Sequence, residues 1–250
     1  MSLITQDYNA YTAADHTTWA LLYKRQTRLV MEQASIEFQR GVNKLILDPH
    51  QVPALEDVNH KLKQYSDWQV VAAKGIVPAK EFFLLLQRKI FPVSIDMRSA
   101  DEVDFSELPD IFHDLYGHVP MLLNKVFSDF MERYCAMALA YADREEFLPY
   151  FDRLYWYTME MGLIREDNLI RPYGAAMLTS SHEIWNMRSP QSTKLAFDIE
   201  QVIQADFNPL RLQNTYFIID SYAQLVQSLD VLNELVAPHG HSSTLQRNNN

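Results

Sequence analysis

Helical periodicity constrains this chain more than any other feature. In DHTTWALLYKRQTRLVMEQASIEFQRGV, residues 15–42, Asp15 offers an N-cap, and Trp19, Leu22, Tyr23, Gln26, Val30 and Phe38 fall roughly on one helical face. PALEDVNHKLKQYSDW reads as a short helix opened by Pro53, and PAKEFFLLLQRKIFP as a helix bracketed by Pro78 and Pro92. Two long helices fill Lys125 to Ile164, split near residues 143–146. RPYGAAMLTSSHEIWNMR is a turn into a helix, KLAFDIEQVIQAD is another helix, and SYAQLVQSLDVLNELV is the last. Strand-like runs are few and short: DWQVVAAKGIVP, the start of FPVSIDMRSADEVDF, and TYFIID. The expectation is a mainly α fold with a few short β-strands, a single domain over residues 1–236 and a polar tail over 237–250 that holds His239 and His241.

Composition removes several classes of function. A formal charge of −10 argues against a nucleic-acid or anionic-membrane partner, whose footprint is a basic patch. No apolar run follows a basic start and no 18-residue uncharged stretch exists, so neither a signal peptide nor a membrane span is expected. The single cysteine, Cys135, allows no internal disulfide and suits the reducing cytoplasm. With 6 glycines and no GxGxxG or GxxxxGK[ST] string, no phosphate-cradling loop is expected.

The chemistry concentrates in PDIFHDLYGHVP, residues 109–120, where His113 and His118 stand five positions apart beside Asp110 and Asp114. A HExxH zinc helix sets its ligands four apart, about 40° around the axis, whereas five residues of straight helix separate them by about 140°. The zinc-protease reading therefore fails. Gly117, directly before His118, is placed to end the helix and re-aim the second histidine. A third ligand would be a carboxylate on a neighbouring segment, and Glu160 is the one charged residue in LYWYTMEMGLI, residues 154–164. A buried carboxylate needs a cation or hydrogen bonds. Two histidines and a carboxylate with open positions form the site of non-haem Fe(II) oxygenases. Two readings stay open on spacing alone: an iron site, or core histidines held by Asp110 and Asp114 with Glu160 paired to Arg165.

PDIFHDLYGHVP and YWYTMEMGLI closely resemble the pterin-dependent aromatic amino acid hydroxylases, nearest to the short bacterial members that act on phenylalanine and lack a regulatory domain. The first string matches the family's P-D-x-x-H-[DE]-L-x-G-H-V-P pattern throughout. DHTTWALLYKRQ is similar to the family's opening helix, WQVVAAKGIVPAKEFFLLLQRKIFPV to its pterin-binding segment, and RPYGAAMLTSSHE to its Y-G-A-G-x-x-S-S-x-x-E segment. These segments occur in unbroken order, and the resemblance covers roughly residues 8 to 235.

This resemblance implies a single catalytic domain of the hydroxylase type, with Fe(II) held by His113, His118 and Glu160. It implies Arg98 on the carboxylate of a free aromatic amino acid, Asp110 bracing Arg98, Trp156 walling the substrate ring, and Thr179, Ser180, Tyr155 and Glu183 nearby. On the cofactor side it implies a tetrahydropterin such as tetrahydrobiopterin stacked on Phe82, bonded by the backbone of Gly75, Ile76 and Val77, and bordered by Phe91 and Asp114. The implied reaction places one atom of O2 on the ring of phenylalanine, giving tyrosine, and the other on the pterin. Tryptophan as substrate, attack at another ring position, and a non-catalytic amino-acid-binding protein on the same fold are the alternatives. A monomer is expected, because the family's longer members oligomerise through an added C-terminal helix. Leu108 replaces a common glutamate, Ala176 replaces the second glycine of Y-G-A-G, and Ser181 and His182 also depart from the family pattern. One added methyl, as at Ala176, shifts discrimination between substrates by about 1–3 kcal/mol.

Overall fold

The structure, a computed structural model, describes residues 3–237 and is mainly helical with short strands. Its first half runs β1 (Leu3–Ile4), α1 (Ala13–Val30), α2 (Ile36–Leu45), α3 (Leu55–Leu62), β2 (Gln69–Ala73), α4 (Ala79–Gln87), β3 (Ile90–Ser94) and α5 (Lys125–Ala140). Its second half runs α6 (Leu148–Tyr155), β4 (Leu163–Glu166), β5 (Leu169–Pro172), α7 (Ala175–Thr179), α8 (Ser181–Arg188), β6 (Thr193–Ala196), α9 (Ile199–Val202), β7 (Thr215–Ile219) and α10 (Tyr222–Val236). Two wide helical turns, His113–His118 and Trp156–Glu160, interrupt this series. Residues 238–250 of the expected tail, with His239 and His241, lie outside the described residues.

The element boundaries correct the sequence reading in several places. Asp15 does not cap α1. Thr12 does, its hydroxyl accepting the Asp15 amide at 3.3 Å while the Asp15 carboxylate accepts the Thr12 amide at 2.7 Å. This reciprocal box satisfies two orphan amides. The helix expected over 15–42 breaks because Ser35 starts a new one: its hydroxyl accepts the Phe38 amide and its own amide bonds the Pro172 carbonyl. Residues 194–206 hold a strand and a single helical turn rather than one helix. The second helix after Lys125 ends at Glu160, and Leu163–Ile164 belong to β4.

Two small sheets flank the helices. β2, α4 and β3 form a parallel crossover unit to which β1 adds antiparallel. Pro92 sits inside β3 instead of closing a helix, which its missing N–H permits because β3 is an edge strand. The second sheet has the order β5-β4-β7-β6. β4 and β5 are joined by the two-residue turn Asp167–Asn168, where both residues have positive φ, as the twist of a tight hairpin requires.

The segment carrying the two histidines is clamped from behind. Ile111, Phe112, Leu115, Tyr116 and Val119 are fully buried. Phe112 stacks on Tyr116 at 4.9 Å and meets Trp19 of α1 edge-on, and Tyr116 meets Tyr23 and Phe38. Each such ring contributes roughly 1.5–3 kcal/mol by burial. The apolar positions of PDIFHDLYGHVP therefore anchor the segment in the core, and His113, Asp114 and His118 face a cavity.

Candidate metal centre and substrate cavity

The histidine spacing is resolved by the width of the turn. Across His113–His118 the backbone bonds run from residue i to i+5: the Val119 amide bonds the Asp114 carbonyl. Such a turn is wider than an α-turn, so residues five apart come onto one face. Gly117 does not stop the helix. It lets this turn approach α7, since a Cβ there would lie 3.0 Å from both Ala175 Cβ and Thr179 Cγ2. A second wide turn delivers Glu160, with the Met161 amide bonded to the Trp156 carbonyl at 2.8 Å.

Three donor groups converge where these turns meet. His113 Nε2 and His118 Nε2 are 3.2 Å apart, His118 Nε2 lies 3.1 Å from Glu160 Oε1, and His113 Nε2 lies 3.4 Å from Glu160 Oε2. Ligands at about 2.1 Å from a metal and perpendicular to one another would be about 3.0 Å apart, so the triangle matches the edge length a metal site needs. Burial alone would push the Glu160 carboxyl up, but the two imidazoles outweigh it and hold the group well below the usual carboxylate range. Arg165 pairs with Asp220 instead of Glu160, which removes the alternative in which Glu160 is an ordinary salt-bridge partner. Asp114 also lies close, its carboxylate within 4.8 Å of both histidine nitrogens. One of its oxygens accepts the Ser94 amide at 2.7 Å, and burial pushes its pKa up to about 6 against the opposing pull of His113 and His118.

The orientation of His113 is set by its other nitrogen. Thr179 Oγ1 lies 3.1 Å from His113 Nδ1 and donates its own proton to the Ala175 carbonyl at 2.8 Å. With that proton committed, the hydroxyl can only accept from His113. Nδ1 therefore carries a hydrogen, which leaves Nε2 as the nitrogen able to ligate a metal beside His118 and Glu160. This is the form in which an imidazole binds a metal.

A cavity of about 790 Å³ opens from these groups, within the size range of small-molecule sites. Every expected site residue except Asp110 lines it. Asp110 stands behind Arg98: its two oxygens take Arg98 Nε at 2.7 Å and Nη2 at 2.8 Å, and they also accept the backbone amides of Arg98 and His113. One carboxylate thus aims Arg98 and starts the histidine helix. At the other end, Phe82 meets Phe91 and Tyr155 edge-on, and Phe91 lies 5.1 Å from the His118 ring. Gly75 beside them adopts φ +66°, a left-handed conformation open to glycine without steric cost. Thr179, Ser180 and Glu183, expected near the substrate, also have internal partners. Ser180 caps α8 through the Glu183 amide, and the Glu183 carboxylate binds the Tyr216 hydroxyl and the Gln213 amide. His182 is exposed at the cavity mouth.

The wall formed by residues 207–213 was missed in the sequence. Phe207 stacks on Trp156 at 4.9 Å with planes 18° apart, and Gln213 Oε1 accepts the Trp156 indole N–H at 3.1 Å. FNPLRLQN has neither periodicity nor charge pattern, so only tertiary structure brings it to the site.

Residues 7–237 match the profile of the biopterin-dependent aromatic amino acid hydroxylases. The chain is 39% identical over 223 residues to phenylalanine-4-hydroxylase of Chromobacterium violaceum, covering 89% of this chain and 75% of that one. It is 40% identical over 221 residues to phenylalanine-4-hydroxylase of Ralstonia nicotianae, covering 88% and 70%. A crystal structure of the C. violaceum phenylalanine hydroxylase with bound iron(III) and the oxidised cofactor 7,8-dihydrobiopterin superposes with a TM-score of 0.87 at 37% identity, over 95% of this chain and 88% of that one.

Proposed function

The chain belongs to the biopterin-dependent aromatic amino acid hydroxylases, and from that premise we propose that it converts free L-phenylalanine to tyrosine with O2, a tetrahydropterin and non-haem Fe(II). The observation that carries the reading is the triangle of His113, His118 and Glu160 donor groups in a cavity that Arg98 also lines. When bound, ferrous iron and the reduced pterin together supply the electrons that split O2, one atom going to the ring and the other to the pterin.

The residues of the chain bind, aim and exclude. His113, His118 and Glu160 would hold the metal, two neutral imidazoles and one carboxylate leaving a divalent ion a net positive charge. Arg98, aimed by Asp110, takes the substrate carboxylate through the guanidinium edge that Asp110 leaves free. Trp156 walls the ring. The aromatic group of Phe82, Phe91 and Tyr155 receives the flat pterin, with Gly75, Ile76 and Val77 offering backbone groups to its edge. Apolar walls from both ends keep water from the reacting atoms once substrate and pterin are in place.

Residues 1–236 act as one catalytic unit, in the cytoplasm and as a monomer. Cys135 is buried and unpaired, as a reducing compartment allows, and among the described residues no helix is long and apolar enough to cross a membrane. Light scattering of the purified protein reads the oligomeric state.

The direct test is product analysis by mass spectrometry and NMR. With Fe(II), O2 and tetrahydrobiopterin, phenylalanine should yield tyrosine. No product from phenylalanine, tryptophan or tyrosine would end the enzyme reading, and a product other than tyrosine would move the ring position. Thr179→Val, which keeps the shape but removes the acceptor for His113 Nδ1–H, should weaken Fe(II) binding about 10–100-fold, read by anaerobic titration. An unchanged affinity would show that Thr179 does not set the ligand.

A further inference from the structure

Gln213 lies in a loop with no sequence signature, yet it is only 5% exposed and all of its polar groups are engaged. Its side-chain oxygen accepts the Trp156 indole N–H at 3.1 Å. Its side-chain nitrogen donates to the Asn208 and Arg211 carbonyls at 2.8 and 2.9 Å. Its backbone amide donates to Glu183 Oε1 at 3.1 Å, and its carbonyl accepts from Asn186 Nδ2 at 2.7 Å. The residue therefore closes the loop on itself, ties it to α8, and ends on the edge of the one tryptophan that walls the cavity.

The Cβ–Cγ torsion of a tryptophan is broad and roughly two-fold, so packing alone does not choose the plane of an indole at a cavity wall. Here Phe207 covers one face of Trp156, and Gln213 grips its only polar atom. A rotated indole would lose the stack and leave a buried amide oxygen without its donor. We propose that Gln213 is a positioning residue for hydroxylation: it fixes the plane of Trp156, and so decides which carbon of the substrate ring is presented to the metal end of the cavity. This rests on the reading in which Trp156 walls the substrate ring. Glu183 and Asn186 act through Gln213, holding its backbone so that its side chain is correctly aimed.

A residue that merely pinned the loop would change how much protein is folded, and product and consumed pterin would fall together. A residue that aims the ring changes their ratio, because a misplaced ring lets pterin be oxidised without being hydroxylated itself. The test compares the parent protein, Gln213→Met, Trp156→Phe and the double variant. Tyrosine formed per tetrahydrobiopterin consumed is measured with phenylalanine, beside the thermal midpoint of each. Gln213→Met should lower the ratio about threefold or spread the hydroxyl over other ring positions. Trp156→Phe already lacks the indole N–H, so adding Gln213→Met to it should lower the ratio no further. An unchanged ratio in Gln213→Met, or an equal further fall in the Trp156→Phe background, would overturn the proposal. A second readout needs no turnover. The near-ultraviolet circular dichroism contributed by Trp156, obtained as parent minus Trp156→Phe, should collapse in Gln213→Met, and its persistence would count against Gln213 as decisively. A parent protein that hydroxylates no aromatic amino acid would overturn the functional reading alone, and the dichroism would then decide the role of Gln213.

Discussion

Glu160→Gln is expected to strip the protein of its ferrous ion and of its hydroxylase activity. Glutamine keeps the length of the side chain and one carbonyl oxygen, so the wide turn over Trp156–Glu160 has no steric reason to change. What it loses is the only anion of the triangle, 3.1 and 3.4 Å from the two imidazole nitrogens. Residues that merely orient a ligand are worth about 10–100-fold in metal affinity, so loss of a charged ligand itself should exceed about a hundredfold. The effect is readable without turnover. A ligand at 100 times its dissociation constant stabilises the folded state by about 2.7 kcal/mol, so the parent's thermal midpoint should rise on anaerobic addition of Fe(II) and that of the variant should not. The metal-free variant should be somewhat less stable than the metal-free parent, because the two imidazoles that hold the Glu160 carboxyl low lose the anion they pair with, so the comparison that matters is the shift on adding Fe(II). If Glu160→Gln bound one ferrous ion as tightly as the parent, the carboxylate ligand would have to be Asp114, the other acid within reach of both histidines.

The uneven legibility of this site has a physical cause. The three donor residues could be picked out because chemistry selects rare side chains: two histidines in an apolar run and one acid in an aromatic one. Their geometry could not. A separation of about 140° assumes a straight α-helix, and the chain instead winds a wide turn whose i to i+5 bonds no composition announces. For the same reason Gly117 looks like a stop in the sequence, whereas in the fold it lets that turn touch α7. Thr12 was missed although Thr-x-x-Asp is a capping signature, because Asp15 is an equally good cap in isolation. The short strands LIRE and TKLA gave no means of telling strand from helix, since four residues fit one helical turn as readily as two strand repeats. Resemblance pairs Arg98 with Asp110, but only the folded segment brings the His113 amide onto the same aspartate. Gln213 carried no signal at all, being a common polar residue in a loop.

That shared aspartate leads to the second large effect. Asp110→Ala should destabilise the protein severely, and more than Arg98→Ala does. The Arg98 and Asp110 side chains are 7% and 4% exposed, and their pairing is bidentate. Breaking a buried pair by removing one partner typically costs about 3–5 kcal/mol, because the remaining charge is left without compensation. The two deletions are not symmetric here. Without Arg98, the Asp110 carboxylate keeps the amides of Arg98 and His113 as donors. Without Asp110, the guanidinium loses both of its bonds, and the histidine segment loses the side chain that caps its first turn, a further loss of about 1 kcal/mol. Arg98→Ala should therefore fold, bind Fe(II) through an undisturbed triangle, and show its damage as a raised KM for phenylalanine. Asp110→Ala should lower the thermal midpoint sharply and weaken Fe(II) binding, because the start of the turn that aims His113 is loosened. Urea unfolding of both variants, with ferrous titration of whichever stays folded, measures the order. Equal destabilisation by the two substitutions would mean that Asp110 serves the ion pair alone, and that the histidine segment is held by its buried aromatic side without help from the cap.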